Sequence, residues 1–165
     1  MAIYFFDTSG LVKRYAAETG TAWTQSLTDP SVGHRIYIAQ ITGVEVIAAI
    51  NRRASGGTPT ISKADATKMI AEFRLDYASQ YNALEITDQI IAAGMTFAET
   101  YLLRGYDAVQ LAAAVAINNQ LLAEVAALGT AATIGPVLTM VSSDTDLNAA
   151  AKTEGLTVED ANNHP

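Results

Sequence analysis

The chain has 165 residues, half of them hydrophobic, which suits one globular domain with one substantial core, so we expect a single domain over residues 1–165. It contains no cysteine, which excludes disulfides, thiolate metal ligands and a cysteine nucleophile and fits a reducing compartment, the cytoplasm. The formal net charge of -7 argues against a protein that holds nucleic acid on a broad basic surface, because Lys and Arg neutralise phosphates.

Short apolar runs alternate with amphipathic stretches along the chain. In the first half they predict a strand at AIYFF (2–6), a helix from Thr8, a helix at 21–27, a strand at RIYIA (35–39) and a helix at 40–53. The linker ASGGTPT follows, and after it a helix that Ser62 caps and that runs to about Tyr81. In the second half they predict a strand at ALEIT (83–87), helices at 88–103 and 106–128, an interruption at GTAATIGP, a strand at VLTMVSS (137–143), a helix to Lys152 and a strand at 156–158. This alternation predicts an α/β fold, a three-layer α/β/α sandwich with a mainly parallel central sheet.

No targeting signal or membrane span is predicted. The start, MAIYFFDTSG, has no basic leader and too short an apolar run for a signal peptide. The weakly charged stretch from Leu121 to Val141 has the length of a membrane span, but Glu124, Gly129 and Pro136 interrupt it. We interpret that stretch as the end of a helix, a loop and a core strand, and we expect no membrane contact.

Two aspartates directly follow predicted strands. Asp7 comes after AIYFF, and Asp144 comes after VLTMVSS near the other end of the chain. Ligand sites in open parallel sheets lie beyond the carboxyl ends of the strands, near the switch in strand order. A doubly wound sheet could therefore place these two carboxylates side by side.

Two further acids stand in apolar helical segments without a local partner. Every neighbour of Glu45 from Val44 to Ile50 is apolar, which predicts a helix buried nearly all round. Asp107 opens a helix whose next ten residues offer only Gln110 as a polar side chain. A buried carboxylate needs a cation, a hydrogen-bond donor or a proton. Four carboxylates without histidine or cysteine form a hard-oxygen set, which favours Mg²⁺ or Mn²⁺ over Zn²⁺ and suits phosphoryl chemistry.

Each of these acids also has a simpler interpretation. Asp7, Asp107 and Asp144 all stand where helices begin, so each could serve only as a helix N-cap. Glu45 could instead form a salt bridge with a basic side chain, for which the candidates are Arg52, Arg53 and Arg104.

Weaker candidates accompany the four acids. Asp146 is a reserve ligand for a second metal ion, or simply an exposed acid in a first helical turn. Ser9 and Ser142 flank the strand-end aspartates and could orient the carboxylates or a bound water, although serines at helix starts commonly just cap the helix.

Basic residues near the acids are candidates for holding phosphate. Lys13 and Arg14 follow Asp7 by about two helical turns, and Arg104 stands shortly before Asp107, although such side chains are more commonly solvated on the surface. The two histidines are poorly placed for a general base, since one lies in a predicted turn and the other near the C-terminus; they are His34 and His164.

Taken together, these segments resemble the PIN-domain family, in particular the VapC-type ribonuclease toxins of bacterial and archaeal toxin–antitoxin pairs. The resemblance spans nearly the whole chain and rests on FFDTSGLVKRY, on the acid in TGVEVIAAI, on RGYDAVQLAAA and on VSSDTDLNAAAKTEGL. RGYDAVQLAAA is the most specific of these blocks. The chain departs from compact family members in a long arm, residues 54–81, and in an extension over residues 119–136.

The resemblance implies a PIN-like fold and a metal-dependent ribonuclease. In that case Asp7, Glu45, Asp107 and Asp144 are both the catalytic residues and the ligands of Mg²⁺ or Mn²⁺. An activated water would attack an RNA phosphodiester and leave a 5′-phosphate and a 3′-hydroxyl. The resemblance also implies a homodimer and a small cognate antitoxin protein whose tail covers the acidic pocket.

Two other functions fit parts of the pattern. A haloacid dehalogenase-type phosphatase also begins with a strand that ends in a catalytic aspartate, but it needs a second aspartate two residues on, where this chain has Ser9. A non-catalytic PIN-like module could use the acidic pocket to capture a basic partner peptide, although all four acids are present. The sequence does not specify the RNA target, the number of metal ions or the role of the arm and the extension.

Overall fold

The computed structural model describes residues 1–127 and 136–164, and within them five strands form one sheet. The strands are β1 Ile3–Phe6, β2 Arg35–Ala39, β3 Tyr81–Leu84, β4 Thr139–Val141 and β5 Thr157–Glu159. Their order across the sheet is β3-β2-β1-β4-β5, and each neighbouring pair is parallel. The chain therefore builds outward from β1 on one side and returns to build outward on the other, which puts the switch point between β1 and β4.

Helices cover both faces of this sheet. In chain order they are α1 Thr8–Leu11, α2 Thr21–Thr28, α3 Gln40–Ser55, α4 Lys63–Ser79, α5 Asp88–Tyr101, α6 Gly105–Ala127 and α7 Thr145–Thr153. Short 3₁₀ turns lie at Val12–Arg14, Pro30–Val32 and Ala161–Asn163. The predicted alternation of strands and helices is confirmed, and the element bounds move by a few residues, as is usual at frayed ends. Apart from Pro136, the predicted interruption GTAATIGP lies outside the described residues.

Successive strand residues face opposite cores, which makes the structure three-layered. Phe5 and Met140 belong to the core formed with α5, α6 and α7. Phe6 and Val141, one residue further along the same strands, belong to the core formed with α1, α3 and α4. This alternation of side-chain direction is the normal geometry of a strand buried on both faces.

The arm, residues 54–81, is anchored to the body of the protein. Phe73 of α4 is buried and packs edge-to-face on Tyr15, with the ring centroids 5.4 Å apart. Asp76 is also buried and accepts hydrogen bonds from Arg14 Nε at 2.9 Å and Tyr15 Oη at 2.7 Å. The other side of α4 is exposed, as at Leu75, so the arm is anchored by one side and faces solvent with the other.

Two boundary predictions around the arm are corrected by the sheet. The helix ends at Ser79 and the strand begins at Tyr81, two residues earlier than ALEIT predicts. Tyr81 pairs with Ile36 of β2, and its hydroxyl contacts the Tyr15 hydroxyl at 2.5 Å. Tertiary contacts thus move a tyrosine that fits the helical pattern into the strand.

Helix α6 is long and apolar enough to cross a membrane by length and composition alone. Half of that apolar stretch is buried within the structure, where the helix packs on α5, α7 and β2. The core helix of a globular protein has the same composition, so this feature alone is weak support for a span.

We expect Asp76→Ala to destabilise the fold strongly. The substitution leaves the Arg14 guanidinium and the Tyr15 hydroxyl without their buried partner, a loss that typically costs about 3–5 kcal/mol. Urea unfolding measures the change. Lys68→Ala on the same helix, whose ammonium is exposed and 4.0 Å from Asp65, is the control and should shift stability by less than about 1 kcal/mol. Equal stability of the two variants would contradict the anchoring role of Asp76.

Candidate active site at the carboxyl edge of the sheet

The two strand-end aspartates lie side by side at the switch point. Asp7 follows β1 and Asp144 follows β4, and these strands pair in parallel with Phe6 opposite Val141. The Asp7 amide extends the ladder by donating to the Val141 carbonyl at 3.1 Å. The sequence-based expectation that strands from opposite ends of the chain bring these acids together is therefore confirmed.

The carboxylate of Asp7 is buried and accepts hydrogen bonds from its neighbours. Its side chain is only 4% exposed, and Oδ1 accepts from the Gly10 amide at 2.9 Å as the N-cap of α1. The Ser9 hydroxyl lies 2.9 and 3.0 Å from the two carboxylate oxygens. Burial raises the pKa of Asp7 to about 7; the bonds from Gly10 and Ser9 oppose this shift, and the charge of Asp107 adds to it.

The backbone around Asp7 leaves no space for a larger residue at position 10. A Cβ at Gly10 would stand 2.7 Å from the Val141 carbonyl oxygen, closer than carbon and oxygen can approach. The glycine therefore lets α1 begin directly against β4, which brings the Asp7 cap and the end of β4 together.

Ser9 and Ser142 link the two strand ends, where they were predicted to lie. Ser9 Oγ accepts from the Ser143 amide at 2.7 Å and lies 3.3 Å from Ser142 Oγ. Ser142 Oγ in turn accepts from the Asp144 amide at 3.0 Å. Asp144 Oδ1 accepts from the Leu147 amide at 2.8 Å, so this acid also caps α7. Both serines stand one hydrogen bond away from an aspartate of the site.

Glu45 is held by neutral donors and not by a salt bridge. Its Oε2 accepts from Thr8 Oγ1 at 2.6 Å and from Gln110 Nε2 at 2.8 Å. Gln110 is only 1% exposed, and its Nε2 also donates to Thr42 Oγ1 at 2.8 Å. Of the three arginines considered as partners, Arg53 pairs with Glu18.

The prediction that the helix around Glu45 is buried nearly all round is wrong. Helix α3 packs on β2, α1 and α4, but one side faces solvent and Val44 is 70% exposed. Glu45 is itself only partly buried. The apolar sequence around it therefore forms a surface beside the site as well as a core.

Asp107 stands in the first turn of α6 among the other acids. Burial raises its pKa, and the charges of Asp144 and Glu45 raise it further; Arg104 opposes this and Asp146 adds to it. Asp107 therefore lies within electrostatic range of Asp7, Glu45, Asp144 and the reserve acid Asp146. In the described residues, no three His, Cys, Asp or Glu side chains converge in an arrangement that could hold a metal ion as it stands.

Two of the basic candidates are engaged elsewhere, which corrects their assignment to phosphate. Lys13 is buried and donates to the Thr19 carbonyl at 3.0 Å and to Asn162 Oδ1 at 2.9 Å. Arg14 pairs with Asp76, as part of the anchor of α4. Arg104 is exposed and acts electrostatically on Asp107, so it keeps its place as a candidate phosphate contact.

Both histidines lie apart from the acids, as expected. His34 Nδ1 accepts from the Ala2 amide near the start of β1, and its ring packs edge-on against Tyr4. His164 stacks on Trp23 with the ring centroids 4.0 Å apart.

The residues that support Glu45 were not predicted as part of the site. Thr8, Gln110 and Thr42 form a hydrogen-bonded set with Glu45 Oε2. A signal for Gln110 was present, because a lone polar side chain in a strongly apolar helix needs a buried partner. Thr8 and Thr42 carried no such signal, since threonine at a helix start or on a helix surface is common.

The fold is shared with chains of solved structures. FitAcB from Neisseria gonorrhoeae superimposes with a TM-score of 0.60 and 15% identity over 96% of this chain and 97% of that chain. VapBC2 from Rickettsia felis, bound to a DNA fragment from its promoter, superimposes with a TM-score of 0.58 and 14% identity over 96% of this chain and 98% of that chain. A chain of a toxin–antitoxin complex from Klebsiella pneumoniae superimposes with a TM-score of 0.53 and 18% identity over 88% of each chain.

These likenesses establish the fold and, at such low identity, only the fold. No family model matches the sequence, and no curated protein matches it. The structural neighbours span almost the entire chain and include VapBC2. The VapC-type resemblance and the PIN-like α/β sandwich expected from the sequence are thus confirmed at the level of the fold.

We expect Asp7→Asn to stabilise the protein in the presence of a chelator. A raised pKa means that the folded state holds a proton more tightly than the unfolded state, so stability is lost as the pH rises from the ordinary value of 3.8 to about 7. Above that range the neutral amide should be more stable than the carboxylate by up to about 4 kcal/mol, and below it the difference should vanish. Urea unfolding across this pH range measures the effect.

The exposed site acid is the matched control for that measurement. Asp146 stands in the first turn of α7 and faces solvent. Asp146→Asn should leave the pH dependence unchanged. A variant of Asp7 that is less stable than the wild-type chain at every pH would contradict the charge argument.

Proposed function

We propose that this chain is a single-domain, Mg²⁺- or Mn²⁺-dependent ribonuclease and the toxin of a toxin–antitoxin pair. One arrangement carries the proposal: four acidic residues from four separate elements, Asp7, Glu45, Asp107 and Asp144, lie near the carboxyl edge of a parallel sheet, and Asp107 interacts electrostatically with the other three. Capping explains two of them individually, but it does not explain why all four lie near the same edge of the sheet. Convergence of like charges is costly unless a function or a cation compensates it.

The residues present fit a divalent cation by their chemistry. The donors are carboxylate oxygens, supplemented by the hydroxyls of Ser9, Thr8 and Ser142, which is the hard-oxygen environment that Mg²⁺ and Mn²⁺ prefer. Burial is the main cause of the raised pKa values of Asp7 and Asp107, and neighbouring negative charges add to both shifts, so a cation beside them would be stabilising. Asp7, Glu45, Asp107 and Asp144 would hold the cation, with Asp146 in reserve for a second one.

A bound divalent cation would supply Lewis-acid polarisation of a phosphoryl oxygen and lower the pKa of water. The chain itself supplies positioning. Ser9 and the Gly10 amide fix both oxygens of Asp7, while Thr8 and Gln110 fix Glu45 Oε2. Arg104 places a cation beside Asp107, where it would attract a phosphate. Part of the chain's excess negative charge would then lie at the cation, which reverses its local effect on a phosphate.

Structures that share the fold support the proposed protein partner. VapBC2 was solved on promoter DNA and the Klebsiella pneumoniae structure is a toxin–antitoxin complex. By analogy, this chain would bind a cognate antitoxin protein that covers the acids. The homodimer, the RNA substrate and the cytoplasmic setting are proposed from the sequence resemblance to VapC-type toxins. Similarity of fold supports the proposal, and the four acids supply the chemical argument for a metal-dependent reaction.

The test is cleavage of RNA by purified, partner-free protein. Total RNA incubated with Mg²⁺ or Mn²⁺ should give discrete fragments with 5′-phosphate ends, and chelator should abolish them. Asp7→Asn and Asp107→Asn should each lower the rate by at least about a hundredfold, because each removes a charged ligand. Asp88→Asn, an exposed acid in the first turn of α5, is the matched control and should cut normally. Intact RNA with folded, metal-loaded protein would count against the nuclease.

The alternative is a PIN-like module that captures a basic peptide in the acidic pocket without turnover. Its supporting observation is that no three acidic side chains in the described part of the chain already enclose a metal position. Growth arrest on expression separates the two functions. For a nuclease, Asp107→Asn should relieve the arrest while the protein still co-purifies with its partner. Arrest that persists in this variant would favour the binding module.

The phosphatase interpretation has less support. Its mechanism requires an acid two residues beyond the first aspartate, and the chain has Ser9 there. The Ser9 hydroxyl hydrogen-bonds the Asp7 carboxylate and cannot supply a carboxylic acid's proton.

A further inference from the structure

A cavity of about 310 Å³ opens beside Glu45, between the exposed side of α3 and the start of α6. Glu45 and Thr8 of the acidic site line one end, so the cavity and the carboxylates share a wall. Anything bound in the cavity would therefore lie directly next to a substrate atom held at the acids. None of the functions argued above assigns a role to this space.

The cavity has a cation at the end opposite to Glu45. Arg52 follows Glu45 by about two turns on the same side of α3 and lines the cavity. Its side chain is exposed, and within residues 1–127 and 136–164 it forms no ion pair. An unpaired guanidinium in a chain of net charge -7 is a local anion site, and its planar donors suit a phosphate.

The remaining walls are apolar and aromatic. Tyr106 stands immediately before Asp107, lines the cavity and is 60% exposed, so its ring is accessible to a ligand. Val44, 70% exposed, and Ile41 form the facing wall on α3. The cavity thus presents a flat ring and aliphatic side chains between a carboxylate edge and an arginine.

We propose that this cavity binds the nucleotide next to the scissile phosphate of a single-stranded RNA, with its base stacked on Tyr106 and its outer phosphate on Arg52. The inference rests on the proposed ribonuclease function and adds a subsite to it. Unpaired bases are recognised by stacking on aromatic rings, and the backbone by arginine, which is the combination found here. It also explains how an acidic protein can hold RNA without a basic surface.

A peptide is a less suitable occupant of this cavity. A basic peptide attracted by the acids would meet the like charge of Arg52. A separate and more apolar groove between α3 and α4, lined by Phe73 and Tyr77, offers a better surface for protein side chains. The nucleotide therefore fits the charges and the ring of the smaller cavity better than a peptide does.

The experiment uses a short, fluorophore-labelled single-stranded oligoribonucleotide that contains one cleavage site found with the wild-type protein. Tyr106→Ala and Arg52→Ala should each raise KM about tenfold or more and leave kcat within about threefold, since neither residue touches the reacting phosphate. Tyr106→Phe should retain the wild-type KM, because it keeps the ring. Arg35 is exposed and begins β2, at the amino ends of the strands and away from the acids. Arg35→Ala is the control for the loss of one positive charge and should leave KM unchanged.

An abasic scan of the same oligonucleotide locates the subsite. Removing the base next to the cleaved bond should raise the wild-type KM, and Tyr106→Ala should add no further increase with that substrate. An equal effect of Tyr106→Ala on all abasic substrates would overturn the stacking role. An unchanged KM in both Tyr106→Ala and Arg52→Ala, while wild-type cleavage persists, would overturn the subsite and leave the nuclease standing.

Binding measured by fluorescence anisotropy separates failure of the subsite from failure of the nuclease. The anisotropy probe is a short single-stranded oligoribonucleotide of mixed sequence, so its use does not depend on a known cleavage site. A probe that binds in a Tyr106-dependent manner but is never cut would refute the nuclease and support the cavity as a nucleotide site. An oligonucleotide that is neither bound nor cut would overturn both. Loss of the protein partner in the two alanine variants, with unchanged RNA binding, would make the cavity a protein-docking surface and overturn the proposal.

Discussion

The parallel pairing of β1 with β4 is the constraint on which the candidate site depends. It joins residues from opposite ends of the chain, and it sets Asp7 beside Asp144 at the one edge where both strands end. The close approach of Gly10 to the Val141 carbonyl and the Ser9 hydrogen bond to the Ser143 amide both rely on this pairing. Glu45 and Asp107 then approach the same edge from helices on opposite faces of the sheet.

The site combines like charges with neutral support. Burial, with a smaller contribution from neighbouring negative charges, raises the pKa values of Asp7 and Asp107. The hydrogen bonds to the site carboxylates come from serine, threonine, glutamine and backbone amides. These donors orient the oxygens without cancelling their charge. A salt bridge to Glu45 would have neutralised the group that a cation needs. The basic side chains of Lys13 and Arg14 instead stabilise the fold through buried hydrogen bonds and an ion pair.

The four acids could be found from the sequence because each broke a local pattern. Asp7 and Asp144 interrupted apolar strands, and Glu45 and Asp107 stood in apolar helices without partners. The supports of Glu45 and the fate of Arg14 could not be found in this way. They depend on contacts between residues such as Thr8 and Gln110 that lie far apart in sequence and have no local signature. The start of β3 at Tyr81 was missed for the same reason, since Tyr15 and Ile36 decide it.

The sheet order also bears on when the site first exists during synthesis. Asp7, Glu45 and Asp107 emerge from the ribosome before β4, whose Thr139–Val141 segment must insert beside β1 to position Asp144. Contacts of such long sequence separation form late in folding. A nascent or truncated chain that ends before β4 therefore lacks both Asp144 and the strand that fixes Ser9 beside Asp7. Incomplete products of translation would then carry three of the acids and remain inert, so activity would begin only with a chain that is nearly finished.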